Sequence, residues 1–420
     1  MINRRNLLSL GVAFATYPAI ANTAAIPALA HLDHDSDAFW DKIRNQYNVT
    51  GEITNLENGN WGIMSRPVLD NYIQQTEFVN EYNSYYSRRK FNGDYRKIIV
   101  RLAAMLDVSE QEIVLTRNAT EALQNLITGY NKLQAGDSVL YADLDYGSMQ
   151  SSMEWLKVRR GVDVIKIDLP EPATYQSIID TYEKAFIEAP KCRLMLLTHL
   201  SHRTGLVVPV KEIIALARKH DIDVILDAAH SWAQLDFTVP DLGVEFAGFN
   251  LHKWIGAPVG VGMMYVRKDR IADIDPHRGQ APGNDKSIES RVHTGTVNLA
   301  ATLSVPKALD FHNMIGIQHK ERRLRSLRDM WVREFRDHKR IEILTPNDSR
   351  LYGGITSFRI KGKTSDDDNK KLANWFAEKY NVFTVFRDGI AKGSCVRVTP
   401  GFYTNKRDIQ KFIHALRNIS

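Results

Sequence analysis

One lysine in this chain is placed for covalent chemistry. The stretch from Val244 to Val266 reads VEFAGFNLHKWIGAPVGVGMMYV. An apolar run ends in Asn250-Leu251-His252-Lys253, and a second apolar run dotted with Gly256, Gly260 and Gly262 follows. That pattern predicts strand, turn, strand, with Lys253 held at the turn. Apolar flanks keep its side chain from reaching far into water. Desolvation disfavours an ammonium and frees the amine as a nucleophile. A lysine amine that condenses with an aldehyde is the Schiff-base chemistry of pyridoxal phosphate (PLP) enzymes. A strand-end lysine that simply reaches solvent is the plain alternative on this stretch alone.

Residue types suited to the same chemistry recur elsewhere. Asp227 closes an apolar run in Leu226-Asp227-Ala228-Ala229-His230. A carboxylate buried there needs a cation. A protonated pyridine nitrogen is one, and holding it protonated keeps the ring an electron sink. A loop-capping Asp is the alternative. His230 is spaced to reach the ring's phenolic oxygen. Asn118-Ala119-Thr120-Glu121 follows a strand and opens a helix, with Asn118 and Glu121 at capping-box spacing. Free N–H groups at such a helix start suit a phosphate, although a plain N-cap has the same signature. Tyr146 is a candidate to lie flat on the ring, and His252 to bind phosphate. A half-buried surface Tyr and a strand-end His are the respective alternatives. Arg397 sits in the apolar run Cys395-Val396-Arg397-Val398, where its fork wants a carboxylate, a substrate's or an internal one. The loop Glu57-Asn58-Gly59-Asn60-Trp61-Gly62 is expected to line the site, with Asn60 near the substrate.

The elements that must carry these residues alternate. Strands are expected at Glu112 to Thr116, Ser138 to Ala142, Val162 to Ile167, Arg193 to His199 and Ile222 to Asp227. Helices are expected between them at Ala119 to Tyr130, Gly147 to Arg159, Tyr175 to Glu188 and Val210 to His220. That rhythm argues an α/β fold with a mainly parallel sheet covered on both faces. Runs such as LMLL and DVIL suit strands buried on both sides. Ligands of such sheets bind at the carboxyl ends of the strands, where the polar residues gather. Residues 65 to 106 and Asp310 to His338 read as helical. A smaller α+β unit follows, with strands at Ile341 to Leu344, Gly354 to Ile360, Val382 to Phe386 and Ser394 to Val398, and helices at Asp366 to Tyr380 and Lys406 to Asn418. The expected organisation is a leader at 1–30, an N-terminal segment at 31–64 packing with the small domain, a large PLP-binding domain at 65–310 and a small domain at 311–420.

Composition is that of an ordinary globular chain: 420 residues, 44% hydrophobic and 25% charged, with net charge +6. The basic residues are spread along the chain, so a nucleic-acid partner is not expected. Cys192 and Cys395 both fall in apolar strand-like runs and read as core thiols. At the N-terminus, Asn3-Arg4-Arg5-Asn6-Leu7-Leu8-Ser9 precedes a short apolar stretch and the small-residue sites Ala19-Ile20-Ala21 and Ala28-Leu29-Ala30. Those features describe a twin-arginine export signal, hence a periplasmic or exported protein that meets the membrane only through its leader. A cytoplasmic location is the alternative.

Together the motifs TRNATEAL (116–123), DLDYGS (143–148), THLSHRTGLVVPV (198–210), DAAH (227–230), NLHKW (250–254), GTVNLAA (295–301) and VRVTPGFY (396–403) resemble the class V aminotransferase family of PLP enzymes, fold type I. The nearer likeness is to its isopenicillin-N-epimerase-like branch, from about residue 57 to the end. The resemblance implies a seven-stranded-type sheet and an internal aldimine on Lys253, which would also shuttle the α-proton. It implies that Asp227 pairs the pyridinium nitrogen, that His230 contacts the phenolic oxygen, and that Ala119, Thr120 and His252 hold the phosphate. Thr296 would reach the phosphate of the other subunit in a homodimer with shared active sites. Arg397 would hold the carboxylate of an amino-acid substrate. Two departures bear on substrate: His202 replaces a small polar group, and Asn250 replaces a serine of some relatives. Cysteine desulfurases of the superfamily carry a cysteine on the loop that here reads Phe386 to Gly393, which has none.

Three functional classes compete. The first is a PLP enzyme on an amino acid or small amine, of aminotransferase type, with epimerase or β-lyase chemistry as the alternative. The second is a metal hydrolase built on His199, His202, His230 and His252, whose spacing lacks a compact ligand motif. The third is a non-catalytic binding protein, which intact Lys253 and Asp227 disfavour.

Overall fold

The strands that position the site count from β1 (Thr54–Asn55), a two-residue piece in the N-terminal segment. Then come β2 (Ile113–Thr116), β3 (Ser138–Ala142), β4 (Asp163–Ile167), β5 (Cys192–Thr198), β6 (Asp223–Asp227), β7 (Phe246–Asn250) and β8 (Gly262–Val266). In the computed structural model, which describes residues 33–281, 283 and 286–419, β2 to β8 form one seven-stranded sheet ordered β2-β8-β7-β6-β5-β3-β4. The leader expected at 1–30 lies outside the described residues. All neighbours in the sheet pair in parallel except β8, which runs antiparallel to β2 and β7. β7 and β8 are the expected strand, turn, strand, with Asn250 opposite Gly262.

Every residue of β3, β7 and β8 is buried, as two helical layers require. The helix Ala119–Gly129 buries Ala122, Leu123, Leu126 and Ile127 on one face, each large side chain contributing about 1.5–3 kcal/mol on leaving water. Gly248 of β7 lies beneath it: a Cβ there would come within 2.8 Å of Leu123 Cγ.

The C-terminal strands are β9 (Ile341–Ile343), β10 (Thr356–Ile360), β11 (Val382–Phe383), β12 (Val385–Arg387) and β13 (Cys395–Val398). Four of them make an antiparallel sheet ordered β12-β13-β10-β9. Its core joins Trp331, Phe358, Phe376 and Phe412. β1 pairs in parallel with β11, and Glu57 bridges to Thr399, so the N-terminal segment lies along this sheet.

One element is added and two local readings change. Residues 31–64 contain a helix, Asp37–Arg44, capped by Ser36, which accepts from the Phe39 N–H. Eight residues hold a helix poorly alone, and burial of Phe39, Trp40 and Ile43 supplies the rest. The helix expected at Asp310 to His338 is two, Val305–Ile315 and Ile317–Phe335, broken at Gly316 with φ 84°. The single strand expected at Val382 to Phe386 is β11 and β12, which serve different sheets.

Candidate active site

The carboxyl ends of β5, β6 and β7 deliver Thr198, Asp227 and Asn250 to one cavity of about 610 Å³. Asn60, Asn118, Ala119, Thr120, Tyr146, His202, His230, His252, Lys253 and Arg397 line the same cavity. Thr296 does not: it is exposed and outside the lining within this chain.

Lys253 follows β7 in the turn that leads to β8. Its Nζ lies 2.8 Å from His230 Nε2. The side chain opens on the cavity rather than on bulk solvent. Burial pushes its amine down to about 7, offset by Asp227 and Glu57 and assisted by Arg397 and Arg387. His230 is held well below its ordinary value by burial and by Lys253, so it is neutral, and with Nε2 unprotonated it accepts a hydrogen bond from Nζ. The loop at Gly62 lies flush on this turn. Gly62 N–H donates to His252 O at 2.9 Å, and a Cβ at Gly62 would sit 2.2 Å from Lys253 O.

Asp227 is 6% exposed, and its Oδ1 accepts from the Ala229 N–H at 2.9 Å. Among the described residues no donor meets Oδ2. Burial raises its carboxyl, and Lys253 and the Ala229 amide oppose that. Asp145 stands behind, accepting from the Thr198 N–H at 3.0 Å and the Ala142 N–H at 2.7 Å. Burial pushes its carboxyl up to about 7, with Asp227 adding to the rise. Sequence reasoning noticed Asp145 only as part of a motif.

The helix start has one amide to offer. Asn118 Oδ1 caps the Glu121 N–H at 2.8 Å, and Asn250 Oδ1 accepts from the Ala119 N–H at 2.8 Å. Among the described residues no acceptor meets the Thr120 N–H, which is one of the orphan donors of a first turn. The Ala119 amide, expected to hold phosphate, is already engaged. Asn250 therefore ties β7 to the helix instead of standing free. His252 Nδ1 lies 3.3 Å from Val261 O, and burial brings its imidazole down to about 4.

The arginine end differs most from expectation. Arg397 Nη2 donates to both carboxylate oxygens of Glu57, at 2.5 and 2.6 Å, and its Nη1 donates to His202 O at 2.6 Å. Arg387 Nη2 also donates to Glu57, at 3.1 Å. The carboxylate on Arg397 is thus an internal one. Glu57 and Arg387 had no local signal, because they lie 330 positions apart and Glu57 lies 340 from Arg397. His202 presents its ring to the cavity, edge-on to Tyr146 at 5.2 Å between centroids. Burial and four cations hold it well below its ordinary value. Cys395, by contrast, is fully buried with its thiol toward Arg203 O at 3.7 Å, away from the lining. Among the described residues no group of three or more His, Cys, Asp or Glu is placed to hold a metal ion.

An amine poised near neutrality, a buried carboxylate with an open oxygen and a helix start with an open amide share one cavity. These are groups that fit an aldehyde, a pyridine nitrogen and a phosphate of one cofactor. Fold and site together define a PLP-dependent enzyme of fold type I. The chain belongs to the aminotransferase class-V family, which matches residues 66–412. It is 24% identical over 402 residues to isopenicillin N epimerase of Streptomyces clavuligerus, covering 90% of this chain and 98% of that one. It is 30% identical over 278 residues to putative L-cysteine desulfhydrase 1 of Oryza sativa subsp. japonica, covering 62% and 57%. Among solved structures, the fold matches apo cysteine desulfurase from Thermococcus onnurineus NA1 with TM-score 0.76 at 17% identity, over 90% of this chain and 97% of that one. A C-DES mutant with glycine covalently linked to its PLP cofactor matches with TM-score 0.77 at 20% identity, over 90% and 99%.

Proposed function

We propose that this enzyme acts on a small amine or amino acid by moving a proton at the carbon that bears the amine, in an aminotransferase-type reaction. The observation that carries the reading is the Lys253 Nζ at 2.8 Å from His230 Nε2, in the cavity that Asp227 closes. PLP, when bound, supplies an aldehyde for the amine and a ring that accepts an electron pair. The chain's own residues do the rest. Lys253 is about half neutral at pH 7 and so serves as nucleophile and as base. His230 Nε2 orients Nζ through the hydrogen bond between them. Asp227 would pair the ring nitrogen and keep it protonated. The Thr120 amide and His252 would hold the phosphate at the positive helix end. The loop around Gly62 packs on the backbone of the turn that carries the lysine.

Epimerisation or β-elimination is the second reading, favoured by relatives named as epimerases and cysteine desulfhydrases. The test begins with borohydride reduction of the PLP-loaded protein and peptide mapping. Label on Lys253 is expected, and Lys253→Ala with full turnover would refute the mechanism. Product analysis with a keto-acid acceptor, and with solvent deuterium, then separates amino transfer from inversion and elimination. Export through the twin-arginine route belongs to the same proposal. Its assay is periplasmic recovery of the wild type, with Arg4→Lys/Arg5→Lys retained in the cytoplasm. So does the homodimer, for which Thr296→Ala should weaken PLP affinity only in the associated form.

A further inference from the structure

The arginine predicted to grip a substrate carboxylate already holds a carboxylate of the chain itself, and of its nitrogens Nε alone is buried without a partner among the described residues. A guanidinium binds a carboxylate in bidentate fashion along two edges, Nε with Nη2 or Nη1 with Nη2, and both edges use Nη2. Arg397 gives Nη2 to Glu57 Oε1 and Oε2, at 2.5 and 2.6 Å, and one Nη1 proton to His202 O. Neither edge is left whole. Arg387 adds a bond to the same carboxylate from the far side, at 3.1 Å.

The backbone that carries Glu57 is tied in place. Its N–H donates to Asn55 Oδ1 at 2.8 Å, and its backbone bridges to Thr399 beside β13. Its neighbour Asn58 donates to Thr399 O at 2.9 Å and accepts from Tyr403 Oη at 2.7 Å. At Gly59 a Cβ would stand 2.7 Å from Arg397 Nη2, so the backbone itself lies against the guanidinium. The Glu57 side chain is 7% exposed and that of Arg397 1%. A second carboxylate brought here would meet a like charge across the same arginine, in a place poor in water.

We infer that Glu57 is a resident carboxylate occupying the substrate-carboxylate place, so that the site selects primary amines whose reacting carbon bears no carboxylate. This deepens the proposed function and rests on its Lys253 chemistry. Glu57 is the specificity-determining residue, and Trp61, Tyr146 and His202 face the rest of the amine.

The test uses PLP-loaded protein whose Lys253 is shown by borohydride labelling to hold the cofactor. Matched pairs are titrated against the cofactor absorbance: alanine and ethylamine, phenylalanine and phenethylamine, lysine and cadaverine. The wild type is expected to respond to each amine at a concentration at least about tenfold lower than to its amino acid. Glu57→Gln should reverse the order, because two arginines then lack an anion. Calorimetry with propionate on cofactor-free protein gives a readout independent of turnover, with binding expected in Glu57→Gln and none in the wild type. Labelled Lys253 with a wild-type preference for α-amino acids, or propionate binding to the wild type, would overturn this inference alone, whether or not the variant folds. Unlabelled Lys253 would overturn the underlying reading and this inference with it.

Discussion

The reactivity of Lys253 toward small amine reagents should titrate near neutrality. An ordinary lysine amine has a value of 10.5, and burial brings Lys253 down to about 7. At pH 7 about half of the Lys253 amines are then neutral, against about one in 3,000 for an ordinary lysine. The difference corresponds to roughly 5 kcal/mol of lost charge stabilisation, set by desolvation and only partly offset by Asp227. The assay is pulsed acetylation of cofactor-free protein from pH 5 to 11, with the Lys253 peptide quantified by mass spectrometry against a free lysine peptide. A half-maximum within about one pH step of 7 is expected. Asp227→Asn should move that midpoint lower still, since the carboxylate raises the amine's value. A midpoint near 10 would show that the amine is solvated, and the desolvation argument would fall.

Three further outcomes follow. In Asp227→Asn the loaded protein should keep its label on Lys253 while turnover falls by about 10- to 150-fold, the 1.5–3 kcal/mol carried by a hydrogen bond to a charged group. A steady-state rate equal to wild type would contradict the pairing of Asp227 with a ring nitrogen. Lys320 is fully buried, donates to Trp254 O at 2.6 Å and is pushed down to about 7 by burial. Its folded value lies below its unfolded one, so the folded state binds fewer protons between pH 7 and 10.5 and stability rises with pH across that window. Lys320→Met should flatten that rise by about 1.4 kcal/mol per pH step, measured by denaturant unfolding, and an unchanged slope would remove the claim. Gly62→Ala must push against Lys253 O and should lower stability by about 1–3 kcal/mol together with activity. Gly51→Ala, with nothing within 4 Å, should do neither, as thermal melts and initial rates would show.

Much of this architecture was legible because the large sheet obeys local rules. Tyr175–Glu188 and Asp366–Tyr380 fall where periodicity and capping residues put them, and the latter begins at Ser365, whose side chain accepts from the Asp368 N–H. The seven-stranded sheet follows from alternating apolar runs that need cover on both faces. What was not legible depends on distance. The helix Asp37–Arg44 owes its existence to burial of Phe39 and Trp40 against the rest of the chain, which no eight-residue window contains. The split into β11 and β12 reflects two different partners, β1 and β13. In the site, Lys253, Asp227 and the Asn118 cap carry their own signals in flanking residues. The Glu57 to Arg397 pair spans 340 positions, so an arginine on an apolar strand could announce only that it wanted a carboxylate. The engagement of the Ala119 amide by Asn250, 131 positions on, escaped for the same reason.

The segment from Leu56 to Gly62 is stitched at both ends. Leu56 N–H donates to Phe383 O and Asn58 N–H to Thr399 O in the C-terminal part, while Gly62 N–H donates to His252 O beside the lysine. Such a span behaves as a connecting rod. It ties the C-terminal part to the backbone that carries the amine. The arginine cluster and Lys253 are therefore linked through one short backbone segment.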